Sequence, residues 1–370
     1  MMPPSVAIVT HIPSPYQVEL FDAIAASGRF LPRVIYARRR NRARQWDVPS
    51  PGHEHVVHEE GPGPASTARH WISDSDLVVI SHYSDGFARN LMHRRASSRR
   101  PWCLWGERPG SRWGLLGRVR RRFCLTDLAR TRAPIWGIGA WAVEGWKREF
   151  GAVRRYENIP YFSNLERFRP ARPKSRNGTR TILFSGSLIP RKGIDLAAEA
   201  FVRVARRCSD VRLEILGSGP LEASLRTILA PVNDRVRFLG FRQWNELPDH
   251  YRNADILCAP SRYDGWGLIV PEGLACGLPV IATDRMGAAL DLIRPGENGW
   301  IVRADELESL ESAVQHAVEL SGTELDTMSA AAVATASRHS LPEGADRFCD
   351  AAERVIQEWP APSHLAETSF

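Results

Sequence analysis

The chain has 370 residues, of which 43% are apolar and 25% are charged. One hydrophobic core seldom organises a chain of this length, so we expect two domains, and the composition excludes a disordered or fibrous protein. No apolar run approaches the roughly 18 residues of a membrane-spanning helix, and the first residues lack the features of a signal peptide. The six cysteines are scattered singly, without metal-site spacing. We therefore expect a cytoplasmic protein.

The formal charge of +7 is unevenly distributed along the chain. Seven arginines and no acid occur from Arg29 to Arg44, and thirteen arginines opposed by two acids occur from Arg89 to Arg132. The N-terminal half therefore presents a basic surface suited to anionic substrates or lipid headgroups. Nucleic acid is not expected as a partner, because aromatic residues are not interleaved with the arginines as stacking platforms.

Short β-type runs alternate with segments of helical period, and this alternation predicts an α/β fold with parallel sheets built from βαβ units. The strands predicted in the first half are 6–10, 33–37, 77–81, 102–105 and 134–138. Those predicted in the second half are 181–185, 212–216, 236–239, 256–259, 279–283 and 300–302. Apolar spacing predicts a helix from Ile194 to Arg207 and a last helix from about Glu343 to Glu358.

Proline, glycine and charged residues cluster in the segment Pro170–Gly178, as is typical of a linker. We expect two Rossmann-like, doubly wound domains at 1–168 and 179–340, a linker at 169–178, and a C-terminal segment 341–370 whose helix packs back towards the N-terminal domain. Ligands of such folds bind at the carboxyl ends of the strands, in the crevice between domains. The residues that follow each strand are therefore the candidates for chemistry.

Two adjacent cations, Arg191 and Lys192, lie in a loop that follows the strand 181–185 and leads into a helix. Gly186 and Gly193 permit tight turns on either side of them. Amide donors, the positive end of the helix dipole and the two side-chain charges are then close together, and such a site can bind an anion. A solvated basic turn is an equal alternative for this loop taken alone.

Two carboxylates follow the strand 256–259. Asp264 lies on a glycine-containing loop and Glu272 at the start of a helix, so they can bind different parts of one ligand. Taken singly, Asp264 is more simply a turn former, and Glu272 an acid that favours the helix dipole.

From Thr181 to Val302 the segments GSLIPRKG, LEILGSGPL, VRFLGF, ADILCAPS, DGWGLIVPEGLACGLPVIAT and ENGWIV follow one another. In order and spacing they resemble the nucleotide-binding domain of the retaining glycosyltransferases of GT-B type, the glycogen-synthase-like family usually numbered four. The resemblance implies two domains facing across a cleft. It also implies a hexosyltransferase that moves a sugar from a nucleotide diphosphate sugar, most often a UDP-sugar, to a hydroxyl of a glycan, lipid-linked or small-molecule acceptor.

The resemblance also implies roles for individual residues. Arg191 and Lys192 would bind the donor diphosphate, Glu272 the ribose, and Asp264, where the family usually has glutamate, the donor sugar. The other donor-binding positions are Gly186, Ser187, Gly217, Gly240, Phe241, Gly265, Trp266, Gly267 and Leu268. Gly240 and Phe241 would contact the base largely through their backbone, and the last four would offer amides beside the sugar and the phosphate. Family members commonly have an arginine where Ser187 stands, and Gly217 is alternatively a core glycine.

The N-terminal half resembles the family weakly, and we expect it to bind the acceptor. The acceptor-side candidates after the first strand are His11, Ser14, Pro15 and Tyr16. Many members carry an active-site histidine after a middle strand of this domain. Glu107 stands at that position here and is a catalytic candidate, with His82 as a second candidate; a structural role for either is an equal alternative.

The sequence predicts transfer without a metal, because no DxD-like pair of acids calls for one and two cations can clamp the diphosphate. No cofactor is expected beyond the nucleotide-sugar co-substrate. One alternative is a sugar-nucleotide epimerase on the same scaffold.

A second alternative is a basic protein that binds the membrane surface. The segment Ser111–Leu125 carries Trp113, Leu116, Val119 and Phe123 among arginines, a basic amphipathic pattern. This segment would bind anionic lipid on the inner face of the membrane. A solvated helix packed on its own domain is the favoured interpretation.

Overall fold

The computed structural model describes residues 2–39, 46–83, 85–110, 114–169 and 178–359. They divide into two compact units, one comprising the described residues up to Ser163 and from Leu341 onward, the other running from Asn164 to Ser340. Residues 170–177, most of the predicted linker, lie outside the described residues.

The described residues of the first unit form a parallel sheet in the order β3-β2-β1-β4-β5-β6-β7. Its strands are β1 (Ser5–Thr10), β2 (Leu31–Tyr36), β3 (Glu54–Val57), β4 (Leu77–Ile80), β5 (Trp102–Gly106), β6 (Ile135–Gly137) and β7 (Tyr156–Asn158). The strand order reverses between β1 and β4, where Val9 pairs with Ile80. Doubly wound folds bind their ligands at this reversal point, outside the carboxyl ends of the strands.

The second unit repeats the arrangement in a parallel sheet of order β10-β9-β8-β11-β12-β13. Its strands are β8 (Arg180–Ser185), β9 (Val211–Leu216), β10 (Val236–Gly240), β11 (Ile256–Ala259), β12 (Val280–Thr283) and β13 (Gly299–Val302). The reversal point lies between β8 and β11, where Leu183 pairs with Leu257. The predicted α/β class with two doubly wound sheets is confirmed.

Every predicted strand is present, with bounds within two residues of the prediction. The sequence analysis missed β3 and β7, which are the two edge strands of the first sheet. Both are short and half polar, Glu54–Val57 and Tyr156–Asn158, because an edge strand needs no continuous apolar run.

Helices cover the sheets in both units. In chain order they are α1 (Pro15–Ala26), α2 (Pro62–Asp74), α3 (Gly86–Ser98), α4 (Gly114–Cys124), α5 (Thr126–Arg130), α6 (Ala140–Phe150), α7 (Ile194–Ala205), α8 (Glu222–Leu229), α9 (Leu247–Asn253), α10 (Ile269–Ala275), α11 (Gly287–Leu292), α12 (Leu307–Glu319), α13 (Gly322–Ser337) and α14 (Leu341–Gln357). Across the part of the chain that the structure describes, none is long and apolar enough to cross a membrane.

The last helix, α14, packs within the first unit. Phe348 on its apolar face is fully buried, with its ring 5.2 Å from that of Trp136 and 5.9 Å from that of Trp105. On its polar face, the guanidinium of Arg29 donates to Asp350 at 2.6 Å. The apolar face and this ion pair together explain why the chain returns to the first sheet after the second is complete.

Candidate functional site

The loops that follow β8 and β11 meet at the reversal point of the second sheet. After β8 the chain makes a short 3-10 turn, Pro190–Lys192, and Gly193 then precedes α7. Gly193 has a φ of +68°, and a Cβ atom there would lie 2.0 Å from the carbonyl oxygen of Pro260. Glycine therefore lets the backbone of the first loop lie directly against that of the second.

This contact brings three of the predicted charged side chains together. Nζ of Lys192 donates to Oδ2 of Asp264 at 2.5 Å, although the two residues are 72 positions apart. Nη1 of Arg191 lies 3.9 Å from the same oxygen and donates to the carbonyl oxygen of Tyr263 at 2.9 Å. An ammonium group has three N–H donors, so Lys192 can bind a phosphate oxygen while it stays paired. Ser187 is exposed on the same loop.

The second predicted carboxylate, Glu272, lies in the first turn of α10. It accepts a hydrogen bond from the hydroxyl of Tyr251 at 3.3 Å, and Tyr251 also hydrogen-bonds to Ser185 at the end of β8. Burial, reinforced by the charge of Glu272, raises the pKa of Tyr251 well above its usual value. Tyr251 is therefore a neutral donor that links Glu272 to the end of β8. The sequence analysis missed Tyr251, because the sequence around a single tyrosine on a helix does not indicate which residues it will contact.

The glycines predicted to line the nucleotide lie along the carboxyl edge of the sheet. The amide of Gly186 donates to Leu216 at 2.9 Å, and that of Gly217 donates to Gly240 at 2.8 Å, which links the ends of β8, β9 and β10. A Cβ atom on Gly217 would lie 1.9 Å from the carbonyl oxygen of Gly186, which favours the core-glycine alternative for Gly217. Phe241, just after β10, is 38% exposed.

The loop from Gly265 to Leu268 presents backbone rather than side chain at its centre. The side chain of Trp266 is 1% exposed and stacks on His339, with ring centroids 5.6 Å apart. Gly267 has a φ of +93°, which favours glycine. Leu268 directly precedes α10. That this loop would contact a ligand through its amides stays a prediction.

The reversal point of the first sheet carries two histidines. His11 follows β1 and His82 follows β4, and their rings lie 5.7 Å apart in an edge-to-face arrangement. Nε2 of His82 lies 3.0 Å from Oδ2 of Asp85, whose other oxygen accepts the amide of Ala88 and caps α3. Burial lowers the pKa of His82 despite the nearby Asp85, so its imidazole is neutral at neutral pH. The sequence analysis missed Asp85, because its position just before a helix predicts only an ordinary helix cap.

Ser14 and Pro15 begin α1. Ser14 is 4% exposed and its hydroxyl donates to Oε1 of Gln17 at 2.8 Å. Pro15 is the first residue of the helix, a position that suits its fixed φ. These contacts explain both residues structurally, so the acceptor-side prediction for this loop depends mainly on His11 and Tyr16.

Glu107 and Tyr16, predicted separately, belong to one hydrogen-bonded group. Tyr161 hydrogen-bonds to both side chains, and its ring lies 4.8 Å from that of Tyr16. Burial raises the pKa of Tyr161 well above its usual value. A neutral phenol therefore holds Glu107, which is exposed just after β5. The sequence analysis did not single out Tyr161.

The basic segment forms α4, whose apolar side chains face outward. The exposed fractions are 74% for Leu115, 75% for Leu116, 61% for Val119 and 73% for Phe123. Arg121 instead holds the helix in place, with Nε 2.8 Å from Glu149 on α6. The helix is thus held on its own unit, as the favoured interpretation expects, while its apolar face is exposed. Trp113 lies outside the described residues.

Comparison with known proteins supports the motif resemblance. Residues 179–319 match the family described as glycosyl transferases group 1. The GDP-mannose-dependent alpha-(1-6)-phosphatidylinositol monomannoside mannosyltransferase of Mycolicibacterium smegmatis is 31% identical over 301 residues, which are 75% of each chain. The GDP-mannose-dependent monoacylated alpha-(1-6)-phosphatidylinositol monomannoside mannosyltransferase of Corynebacterium glutamicum is 30% identical over 190 residues, 47% of this chain and 49% of that protein. The match thus spans about half the length of this second relative.

A solved structure shows the same fold. Sucrose-phosphate synthase from Thermosynechococcus elongatus superposes with a TM-score of 0.72 at 18% identity, covering 96% of this chain and 99% of that one. The structural similarity to this enzyme extends over both units of the chain. With the matching family and the long relative, it shows that the chain belongs to the group 1 glycosyltransferases of GT-B fold.

Proposed function

We propose that this chain is a retaining, metal-independent mannosyltransferase that uses GDP-mannose and a hydroxyl of a phosphatidylinositol mannoside. The observation that carries the proposal is the cluster of Arg191, Lys192 and Asp264 at the reversal point of the second sheet. The family resemblance alone favours a UDP-sugar. Both relatives described above are named as GDP-mannose-dependent, and this favours GDP-mannose as the donor.

The transfer requires the enzyme to stabilise the charges that develop in the transition state. The leaving diphosphate gains negative charge while the sugar becomes oxocarbenium-like, and donors fixed where that charge develops contribute several kcal/mol. Lys192 and Arg191 would stabilise the diphosphate, so no metal is needed for that task. Asp264 would bind hydroxyls of the sugar, and Glu272 the ribose.

The first unit would bind the acceptor. Glu107 has an exposed carboxylate just after β5, and the neutral phenol of Tyr161 orients it. A carboxylate held in this way can accept a hydrogen bond from an acceptor hydroxyl. Tyr16, in the same hydrogen-bonded group, would bind beside it.

The donor proposal is tested by thermal unfolding with GDP, UDP and their sugars, followed by product analysis. We expect GDP-mannose to stabilise the protein, by about 2.7 kcal/mol at a hundred times its Kd, and UDP-glucose to have little effect. Mannose should appear on the phosphatidylinositol mannoside only when donor and acceptor are both present, with equal rates in EDTA.

Other outcomes would contradict specific parts of the proposal. Stabilisation and turnover with UDP-sugars alone would show that the donor assignment is wrong. Conversion of a nucleotide sugar without any acceptor would instead show an epimerase on this scaffold. Loss of transfer in EDTA that Mg²⁺ restores would refute metal-independent binding of the diphosphate.

Peripheral binding to anionic membrane is a second proposed property, favoured by the exposed apolar face of α4. We expect the protein to co-float with vesicles that contain anionic phospholipid at moderate salt. The double substitution Leu116→Asp with Phe123→Asp should lower the partition constant at least tenfold, because each buried apolar side chain contributes about 1.5–3 kcal/mol.

The matched control for this experiment is Val153→Asp. Val153 is an apolar residue of the first unit that is 92% exposed outside α4, and its substitution should leave co-flotation unchanged. If the unsubstituted protein stays with the soluble fraction, or if both variants behave alike, α4 does not bind lipid.

A further inference from the structure

The reversal point of the first sheet holds a group of side chains with metal-binding chemistry, which includes the acceptor-side candidate His11 and the catalytic candidate His82. His11, His82 and Asp85 each offer one ligand atom, and these atoms lie within 4.8 Å of one another. Zinc binds nitrogen and carboxylate oxygen at about 2.0–2.2 Å, so two ligand atoms on a tetrahedral ion lie roughly 3.3–3.6 Å apart. The 3.0 Å between Nε2 of His82 and Oδ2 of Asp85 is somewhat shorter than that spacing, and the three atoms would have to adjust from within 4.8 Å of one another to bind one ion.

The ends of two paired strands and the start of a helix place the three side chains. Val9 on β1 pairs with Ile80 on β4. His11 lies two residues after Val9, and His82 lies two residues after Ile80. Asp85 is fixed by the N-terminus of α3, where Oδ1 accepts the amide of Ala88 at 2.8 Å. That contact leaves Oδ2 of Asp85 directed at His82. These contacts therefore hold the three ligand atoms within 4.8 Å of one another.

Besides its contacts with Asp85 and with the ring of His11, the imidazole of His82 makes few interactions among the described residues. Its side chain is 10% exposed, and Nδ1 is buried without a hydrogen-bond partner among the residues that the structure describes, which exclude Ser84. The contact that His82 does make, with Asp85, is the one that a shared cation would replace.

We propose that His11, His82 and Asp85 bind one divalent transition-metal ion of the Zn²⁺ class. Two imidazoles and one carboxylate are a ligand set of zinc sites and of related transition-metal sites, whereas Mg²⁺ and Ca²⁺ prefer oxygen ligands alone. Three protein ligands leave a fourth position for an oxygen of water or of a bound molecule. The group belongs to the first unit and the diphosphate cations to the second.

Calorimetric titration of the untagged 370-residue chain with Zn²⁺, after removal of metal by a chelator, tests this proposal. We expect one equivalent to bind. His11→Ala and Asp85→Asn should each weaken binding at least about tenfold, since even partners that only orient ligands contribute that much. Asparagine is as good a helix cap as aspartate, so Asp85→Asn removes the carboxylate but keeps the start of α3.

Absorption spectra with Co²⁺ identify the ligands, because thiolates give charge-transfer bands that nitrogen and oxygen ligands do not. We expect d–d bands without thiolate bands, and their loss in both variants. The control is His93→Ala, since His93 lies 3.3 Å from Asp127 in an exposed pair and should bind no ion by itself. Absence of one-equivalent binding, equal affinity in the ligand variants and the parent, or thiolate bands would overturn the proposal.

Discussion

Replacing Lys192 with alanine is expected to lower turnover by about 100-fold or more while the protein stays folded. The ammonium is held at 2.5 Å from Asp264, so it is already in place when negative charge develops on the leaving group. Alanine removes that charge, and Arg191, 47% exposed and 3.9 Å from Asp264, is less well fixed to replace it. The measurement is kcat and KM with GDP-mannose and the lipid acceptor, where the loss should fall mainly on kcat.

Lys147→Ala is the matched control for this variant. Lys147 is an exposed lysine of α6 that pairs with Glu144 at 3.0 Å, and its loss should leave kcat unchanged. Lys192→Arg should recover only part of the activity, because a planar guanidinium cannot take the place of a compact ammonium beside Asp264. Near-normal turnover by Lys192→Ala, with thermal unfolding like that of the parent, would show that Lys192 does not bind the diphosphate.

The two units hold their predicted carboxylates in the same way. In the second unit the buried Tyr251 donates to Glu272, and in the first unit the buried Tyr161 hydrogen-bonds to Glu107. Burial raises the pKa of both phenols well above the usual value, so each remains a neutral donor across the working pH range. A neutral donor fixes a carboxylate without neutralising it, which leaves the negative charge available to a substrate.

The sequence was sufficient for the second sheet, for the inner strands of the first sheet, and for the meeting of Lys192 with Asp264. Parallel strands place their carboxyl ends at one edge, so Lys192 and Asp264 could be expected to meet even though they are 72 positions apart. The positive φ and close approach at Gly193 follow from the same loop geometry. These features depend on strand order, which alternating βαβ units largely determine.

The partners of the predicted residues could not be read from the sequence. Tyr161, Tyr251 and Asp85 acquire their contacts from packing between distant segments, and each alone resembles an ordinary core or cap residue. The orientation of α4 could not be predicted from the sequence for the same reason. Amphipathic spacing shows that a helix has an apolar face, but the ion pair of Arg121 with Glu149 decides that this face points outward.

Gly193→Ala is expected to destabilise the protein and to disturb the donor site. A Cβ atom would lie 2.0 Å from the carbonyl oxygen of Pro260, and the φ of +68° costs an L-residue about 1–2 kcal/mol before that clash is counted. With the clash, the destabilisation should reach about 2–3 kcal/mol or more, which lowers Tm by roughly 5 °C or more. The loop after β8 must then move away from the loop after β11, which separates Lys192 from Asp264 and lowers kcat as well.

Gly322→Ala is the matched control for this substitution. Gly322 begins α13, has no positive φ, and a Cβ atom there would meet no atom within 4 Å. Alanine at this position should leave Tm unchanged or raise it slightly, since alanine is the better helix former by up to about 1 kcal/mol. If Gly193→Ala unfolds at the temperature of the parent, the loops after β8 and β11 are not in backbone contact, and the shared position of Lys192 and Asp264 loses its physical basis.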